Sequence, residues 1–390
     1  MKLHIFNPEN DLALADGGFS YCPPPAAMCI AGDLASLQLW YARVGDAILL
    51  PGERHLTFLE EMSKLFELPV AYTASMQQQV TTFSPWGWSA QIRHRLKSMG
   101  FDQAMLPGDE SIASMRRLSS RVLTIEILMA LHDAGIDTPS LPQYMNNLDD
   151  AVSFVNSHDR CVVKAPWSGS GKGIMWGIGT AEEPMVNFCK GIIRRQGGVV
   201  CECFLNAKTE FAMEFFAGDD GVQFAGYSLF ASENGAYTGN LLAANEYIEE
   251  QLSQYIPLEL LTAVKTELCT VLHSALAKSG YRGYFGVDMM IYDNGDGCRL
   301  NPCMEVNLRM NMGVVSRLFY DRFVTAGKRG IYRVKFFKQA GEALRSHVAM
   351  QASHPLTVEN SRVVSGYMNL VPVTPDNRYI AYVIIGDDVC

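Results

Sequence analysis

The stretch from Gly286 to Gly313, GVDMMIYDNGDGCRLNPCMEVNLRMNMG, constrains the fold more than any other part of the chain. Two apolar runs, GVDMMIY and CRLNPCMEVNLRM, flank DNGDG, whose Asn-Gly and Asp-Gly pairs favour the positive φ of a tight turn. The pattern predicts two antiparallel strands. Side chains alternate faces along a strand, so Glu305, Asn307 and Arg309 fall on one face, and Met304, Val306 and Leu308 on the other. Asp288 sits among Val287, Met289 and Met290 on the partner strand. Two carboxylates and an amide carbonyl on one sheet surface form a set of hard oxygen donors. Such donors hold Mg²⁺ while waters and substrate phosphates complete its shell. Arg309, one step further, is placed to reach a phosphoryl group or a carboxylate. Charges among so many Met, Val and Leu are expensive unless they are employed.

A second feature stands well upstream. Ser168-Gly-Ser-Gly-Lys-Gly173 lies between the apolar runs Cys161–Lys164 and Ile174–Ile178, so it reads as a strand–loop–strand. Successive glycine N–H groups can turn into one concavity and hold phosphate oxygens. The loop is not a Walker A motif, because position 166 is Pro and position 173 is Gly. It lacks the dinucleotide spacing, and no His-Arg-Asp or Asp-Phe-Gly companion of a protein-kinase loop exists. Lys164 just before it, and the acidic hairpin far after it, supply the charges a phosphate site needs.

The start of the chain adds a candidate substrate surface. Lys2 to Phe6 reads as a buried strand, followed by Asn7-Pro8-Glu9-Asn10-Asp11 and the helix-prone Leu-Ala-Leu-Ala. Ligands gather where the strands of such α/β units end, which makes Asn7, Glu9, Asn10 and Asp11 candidate substrate contacts; Asn10 or Asp11 also reads as a helix cap. Arg282 is a further candidate near the acidic hairpin. The three prolines in Cys22–Met28 predict an extended loop, Leu34–Val44 a short helix, Ala47–Leu50 a strand, and Asp109–Gly135 continuous helical texture. Leu258–Lys278 predicts a long amphipathic helix; after Gly330 come one helix, Phe336–Met350, and two closing strands, Val363–Val371 and Tyr379–Ile385.

With 390 residues the chain is expected to form two or three packed units. A formal charge of −9 argues against a nucleic-acid scaffold. The ten cysteines match neither a disulfide framework nor a zinc pattern, which points to a reducing, cytoplasmic setting. No apolar run is long enough for a membrane span.

VVKAPWSGSGKGI, VVCECFLNAKTEFAMEFF, GYFGVDMM and MEVNLR, in that order and at these separations, resemble the ATP-grasp superfamily over roughly residues 115 to 325. The resemblance implies an α/β and α+β multidomain protein: two α+β lobes clasping ATP, preceded by a smaller α/β pre-ATP-grasp domain on the substrate side. The expected division is residues 1–114 for that domain, 115–200 for the lobe with the glycine loop, 201–330 for the lobe with the Mg²⁺ site, and 331–390 for a helix and strands packed on the grasp.

Carried over residue by residue, the resemblance implies that Lys164 and Lys172 contact phosphates while Ser168, Gly169, Ser170 and Gly171 fold over them. Glu202, Cys203 and Leu205 would form the adenine hinge and Glu210 the ribose carboxylate. Asp288, Glu305 and Asn307 would hold Mg²⁺, or Mn²⁺ in its place, and Arg309 with Lys172 would steady the reacting phosphoryl group. Arg121 stands in a stretch where relatives often have a lysine. The implied activity is an ATP-dependent ligase that forms an acyl phosphate from a small carboxylate and joins it to an amine or thiol. A small-molecule kinase, or a silent ATP-binding protein, are the alternatives on the same fold. The expected partners are small molecules and a second copy of the chain, with no nucleic acid and no membrane.

Overall fold

The computed structural model describes residues 1–169, 173–233 and 236–386, with side chains at 232, 233 and 236 left aside. Three sheets follow one another along the chain. The first contains β1 (Lys2–Ile5), β2 (Ala47–Ile48), β3 (Val70–Ala71) and β4 (Thr82–Pro85), all parallel, in the order β3-β2-β1-β4. Leu3 and Ile5 face a core closed by Ile92, Leu96 and Phe101. Phe6 joins a second core with Trp40, Phe319 and Phe323.

The second sheet contains β5 (Gln143–Met145), β6 (Cys161–Lys164), β7 (Ile174–Gly177) and β8 (Val199–Cys203), antiparallel in the order β5-β8-β6-β7. Helices Leu148–Asn156 and Glu183–Gln196 cover one face, burying Val155, Cys189 and Ile192 against Val163 and Cys201.

The third sheet has nine strands, β9 (Asn206–Gly218), β10 (Gly221–Glu233), β11 (Ala236–Leu242), β12 (Gly283–Asp293), β13 (Cys298–Asn307), β14 (Gly330–Phe336), β15 (Thr357–Glu359), β16 (Arg362–Asn369) and β17 (Tyr379–Ile385). Their order is β13-β12-β9-β10-β11-β14-β17-β16-β15. Helix Leu258–Leu276 lies on this sheet through Leu261, Val264, Leu268, Leu272 and Leu276, all buried; the three- and four-residue spacing puts them on one stripe. The C-terminal strands extend the sheet and also meet the first unit: Trp40 Nε1 donates to Leu370 O at 2.7 Å across the shared core.

Several expected elements differ. The helical run 109–135 is two helices, Asp109–Leu118 and Leu123–Asp133. Serine hydroxyls compete with the helix ladder at the break, Ser119 Oγ donating to Met115 O at 2.8 Å and Ser120 Oγ accepting from Val122 N at 3.3 Å. The proline-rich segment is not a loop throughout: Pro25 begins a helix, Pro25–Asp33, at the first-turn position where its missing N–H costs nothing. Leu34–Val44 is a short 3₁₀ turn over Ala35–Trp40, and the last helix starts later than expected, at Glu342. Helix Met312–Phe323 and strand β14 were not anticipated. The helix begins where Asn311 Oδ1 accepts from Val314 N at 2.8 Å, directly after the acidic strand.

Candidate active site

The acidic hairpin forms as its sequence predicts. β12 and β13 pair antiparallel with Asp288 directly opposite Glu305 and Gly286 opposite Asn307, so the three polar side chains share a face. Asn307 Nδ2 donates to Asp288 Oδ2 at 2.9 Å. Burial, with the charge of Glu305 next to it, pushes the Asp288 carboxyl up to about 7. Like charges facing each other across a ladder call for a cation between them. Among the described residues no group of three His, Cys, Asp or Glu side chains is arranged to hold a metal ion, so a metal held here would take two carboxylates, the Asn307 carbonyl and ligands from outside the chain. That donor set fits Mg²⁺.

A third acid, not expected from the sequence, lies behind these two. Glu214 on β9 pairs with Gly286, is 1 % exposed, and accepts from Asn311 Nδ2 at 2.9 Å. A Cβ on Gly286 would come within 2.5 Å of Glu214 Oε2, which is why glycine stands there. Burial first, and then the charge of Asp288, raise the Glu214 carboxyl to about 8. The MEF segment that contains it looks like any apolar strand, and only the sheet order reveals that Glu214 is central.

Cations reach the acids from other elements. Arg121, 4 % exposed in the break between the two helices, donates to Glu305 Oε2 at 2.9 Å and to Ala165 O at 2.8 Å. It also bonds Ser168 Oγ, and its own N–H donates to Pro166 O at 2.9 Å. Arg121 therefore ties the stem of the glycine loop, one residue beyond Lys164, to the acidic strand. Ser168 and Gly169 lie at this junction, whereas Ser170, Gly171 and Lys172 fall outside the described residues. Lys164, buried, pairs with Glu202 on the neighbouring strand.

Glu202 and Cys203 end β8, and Leu205 lies in the turn that carries the chain from the second sheet into β9 of the third. Phe204 in that turn sits under the Arg160 guanidinium, 3.4 Å from its ring centre. Glu210 pairs in register with Met290 on β12, two residues from Asp288, and its charge is felt there.

The N-terminal polar run divides in its placement. Asp11 takes both ends of a side-on pair with Arg309, from Nε and Nη2 at 2.7 Å each. Burial disfavours the charged guanidinium, but Asp11 and the nearby acids outweigh it and raise its pKa. Asn7 clamps Gly87, donating to its carbonyl at 2.9 Å. Glu9 and Asn10 are 5 % and 1 % exposed. Glu9 Oε2 and both amide atoms of Asn10 have no protein partner, and burial raises the Glu9 carboxyl. Buried polar atoms left in this way are groups awaiting a ligand or water. Arg282 turns away, donating to the exposed Asp219 at 3.1 Å. One cleft is lined by Asp11, Trp167, Ser168, Glu305, Asn307 and Arg309, so the first unit, the loop stem and the acidic strand meet there.

No protein-family model and no curated protein sequence matches the chain. Its structure is similar to solved ones along its whole length. N5-carboxyaminoimidazole ribonucleotide synthetase from Thermus thermophilus aligns at a TM-score of 0.52 and 12 % identity, over 99 % of this chain and 94 % of that one. Carboxyaminoimidazole ribonucleotide synthase from Aspergillus clavatus, solved with ATP, aligns at 0.51 and 12 %, over 99 % and 93 %. Biotin carboxylase from Campylobacter jejuni, solved as a β,γ-ATP complex, aligns at 0.51 and 10 %, over 99 % and 87 %. Among the described residues no helix is long and apolar enough to cross a membrane. Over nearly its whole length the chain therefore shares its fold with these two synthetases and this carboxylase.

Proposed function

We propose that the chain is an ATP- and Mg²⁺-dependent ligase, which activates a small carboxylate as an acyl phosphate and joins it to an amine or thiol, releasing ADP and phosphate. The observation that carries this reading is the facing pair Asp288–Glu305 with Asn307 beside it, tied through Arg121 to the stem of the glycine loop. Fold neighbours include synthetases and a carboxylase solved with ADP or ATP, which supports a nucleotide as co-substrate.

Asp288, Glu305 and Asn307 would hold Mg²⁺, whose charge would offset that of the triphosphate oxygens. Lys164 exchanges its Glu202 partner for a phosphate oxygen, and Glu202 to Leu205 present backbone groups to the base. Glu210 takes the ribose. Ser168 and Gly169 lie beside the phosphates, and Arg309 faces the group being transferred. The orphaned amide of Asn10 and the Glu9 carboxyl recognise the polar end of the substrate that accepts the acyl group. Little covalent chemistry is asked of the protein, since positioning and charge stabilisation supply most of the acceleration in phosphoryl transfer.

The test is nucleotide-product analysis with purified full-length protein, Mg·ATP and pools of carboxylates and amines. ADP release that requires both a carboxylate and an amine or thiol supports the ligase. Release of AMP, or ADP release with a hydroxyl acceptor alone, rejects it.

A further inference from the structure

The guanidinium of Arg309 has five N–H donors, and four are committed. Nε and Nη2 donate to the two oxygens of Asp11, Nη2 also to Asn307 Oδ1 at 3.0 Å, and Nη1 to Met310 O at 3.1 Å. A bidentate carboxylate pair fixes the plane of the guanidinium as well as its place. The amide of Asn307 is set in turn, since its oxygen accepts from Arg309 while its nitrogen donates to Asp288. An unbroken run, Asp11–Arg309–Asn307–Asp288, therefore leads from the first helix of the chain into the acid pair.

Two backbone observations place Asp11 at a junction. A Cβ on Gly169 would run into Asp11 Oδ2, so the loop stem lies against this carboxylate. On the other side, Met310 N donates to Trp86 O at 2.8 Å, which joins the residue after Arg309 to the end of β4. With both oxygens taken by Arg309 and the loop stem against one of them, Asp11 is poorly placed to bind substrate.

We propose that Asp11 is a positioning residue and not a substrate contact: its two-oxygen grip aims the one free N–H of Arg309 and orients Asn307 for the metal site. This rests on the ligase reading above. The element that carries Asp11 also carries Glu9 and Asn10, so the way the first unit sits is coupled to whether the phosphoryl-facing groups are aligned.

The test uses full-length protein with Mg·ATP and compares Asp11→Asn, Asp11→Glu and the wild type. Asp11→Asn is expected to lower the rate of ADP release by about 100-fold, the scale of a misplaced reacting group, with the KM for ATP kept within about twofold. Asp11→Glu, which keeps charge and both oxygens, restores part of the loss. A second readout needs no turnover: in ¹⁵N-arginine-labelled protein the Nε–H of Arg309, assigned with Arg309→Lys, is slow to exchange in the wild type and fast in Asp11→Asn. The exchange signal reports whether Asp11 holds Arg309 in solution, and equal exchange in the two proteins would overturn the grip itself; a merely structural ion pair would lower the melting temperature and leave kcat per folded molecule unchanged. That result would overturn the proposal. Wild type that binds Mg·ATP, with unaltered kcat in Asp11→Asn, defeats this inference alone, whereas failure of wild type to bind Mg·ATP defeats the ligase reading and this one together.

Discussion

The two sheets that meet at the cleft keep their charges in opposite ways. In the sheet of β5 to β8, Lys164 and Glu202 lie two register steps apart on neighbouring strands and neutralise each other. In the nine-stranded sheet Glu214, Asp288 and Glu305 crowd one region, and the arginines that balance them come from a helix break and from beyond the strand end. The sheet of β5 to β8 keeps this ion pair within itself and is lightly covered at its outer edge, where Trp176 is 62 % and Ile178 77 % exposed. The nine-stranded sheet crowds its acids in a packed wall, where burial and mutual repulsion hold the Asp288 and Glu214 carboxyls well above the usual carboxylate range. Ligand cations thus have most to gain at the nine-stranded sheet, and the small sheet exchanges one partner for another at little cost.

The sharpest way to break this comparison is to remove one acid of the facing pair. Asp288→Asn should lower ADP release by about 100-fold or more, as loss of a charge-stabilising group does, and abolish the dependence on Mg²⁺. Unchanged turnover measured across a Mg²⁺ titration would show that the crowded acids have no metal to meet.

On the opposite sheet, Lys164→Met should raise the KM for ATP by roughly tenfold to 100-fold, the effect of one lost charge-assisted contact. Glu202→Gln should change it far less, because Lys164 is then already free of its partner. Equal effects from the two substitutions would mean that the pair is not exchanged on binding.

Glu214 sharpens the electrostatic half of the contrast. Its carboxyl is raised from 4.5 to about 8, so the folded chain binds the proton more tightly than the unfolded one. Stability from this group is fully present below about 4.5 and is lost as the pH rises through about 8. Glu214→Gln keeps an acceptor for Asn311 and removes the charge. Its melting temperature should equal or trail the wild type near pH 5 and exceed it near pH 9. A gap that does not vary with pH would show that Glu214 is not stored as a neutral acid. The smallest effect belongs to the exposed edge: Trp176→Ala should shift stability by no more than about 0.5 kcal/mol in denaturant unfolding.

Much of the site was legible because it is built from local patterns. The DNGDG turn sets the register of the outer half of β12 and β13, from Asp293–Cys298 to Met290–Asn301; continued inward it would put Asp288 opposite Cys303, and an irregularity between Asp288 and Met290 shifts the ladder by two residues and brings Asp288 to Glu305. A shift of two leaves the faces unchanged, so the shared face was legible in the sequence and the exact pairing was not. CVVK followed by glycines is equally local. Asn7, Glu9, Asn10 and Asp11 could be read only as a polar run at the end of a strand. Their separate placements, a backbone clamp, two orphaned groups and an arginine grip, depend on partners at Gly87 and Arg309, far away in sequence. Helix Met312–Phe323 was missed because its start abuts the acidic strand without a glycine or proline between them, although Val314, Val315, Phe319 and Phe323 have helical spacing.

What the sequence determined by itself is the set of elements whose signal lies within a few residues: the acidic hairpin, the glycine loop between two strands, and the long amphipathic helix Leu258–Leu276. Turn chemistry and side-chain periodicity are short-range, so they survive without the fold. Only the tertiary structure decided that Glu214 stands behind Asp288, that Arg121 bridges the loop stem to Glu305, and that Asp11 grips Arg309. Each is an ionisable group whose burial is tolerable only beside a partner or, for Glu214, with its proton kept, and Arg121 and Asp11 find their partners 184 and 298 residues away.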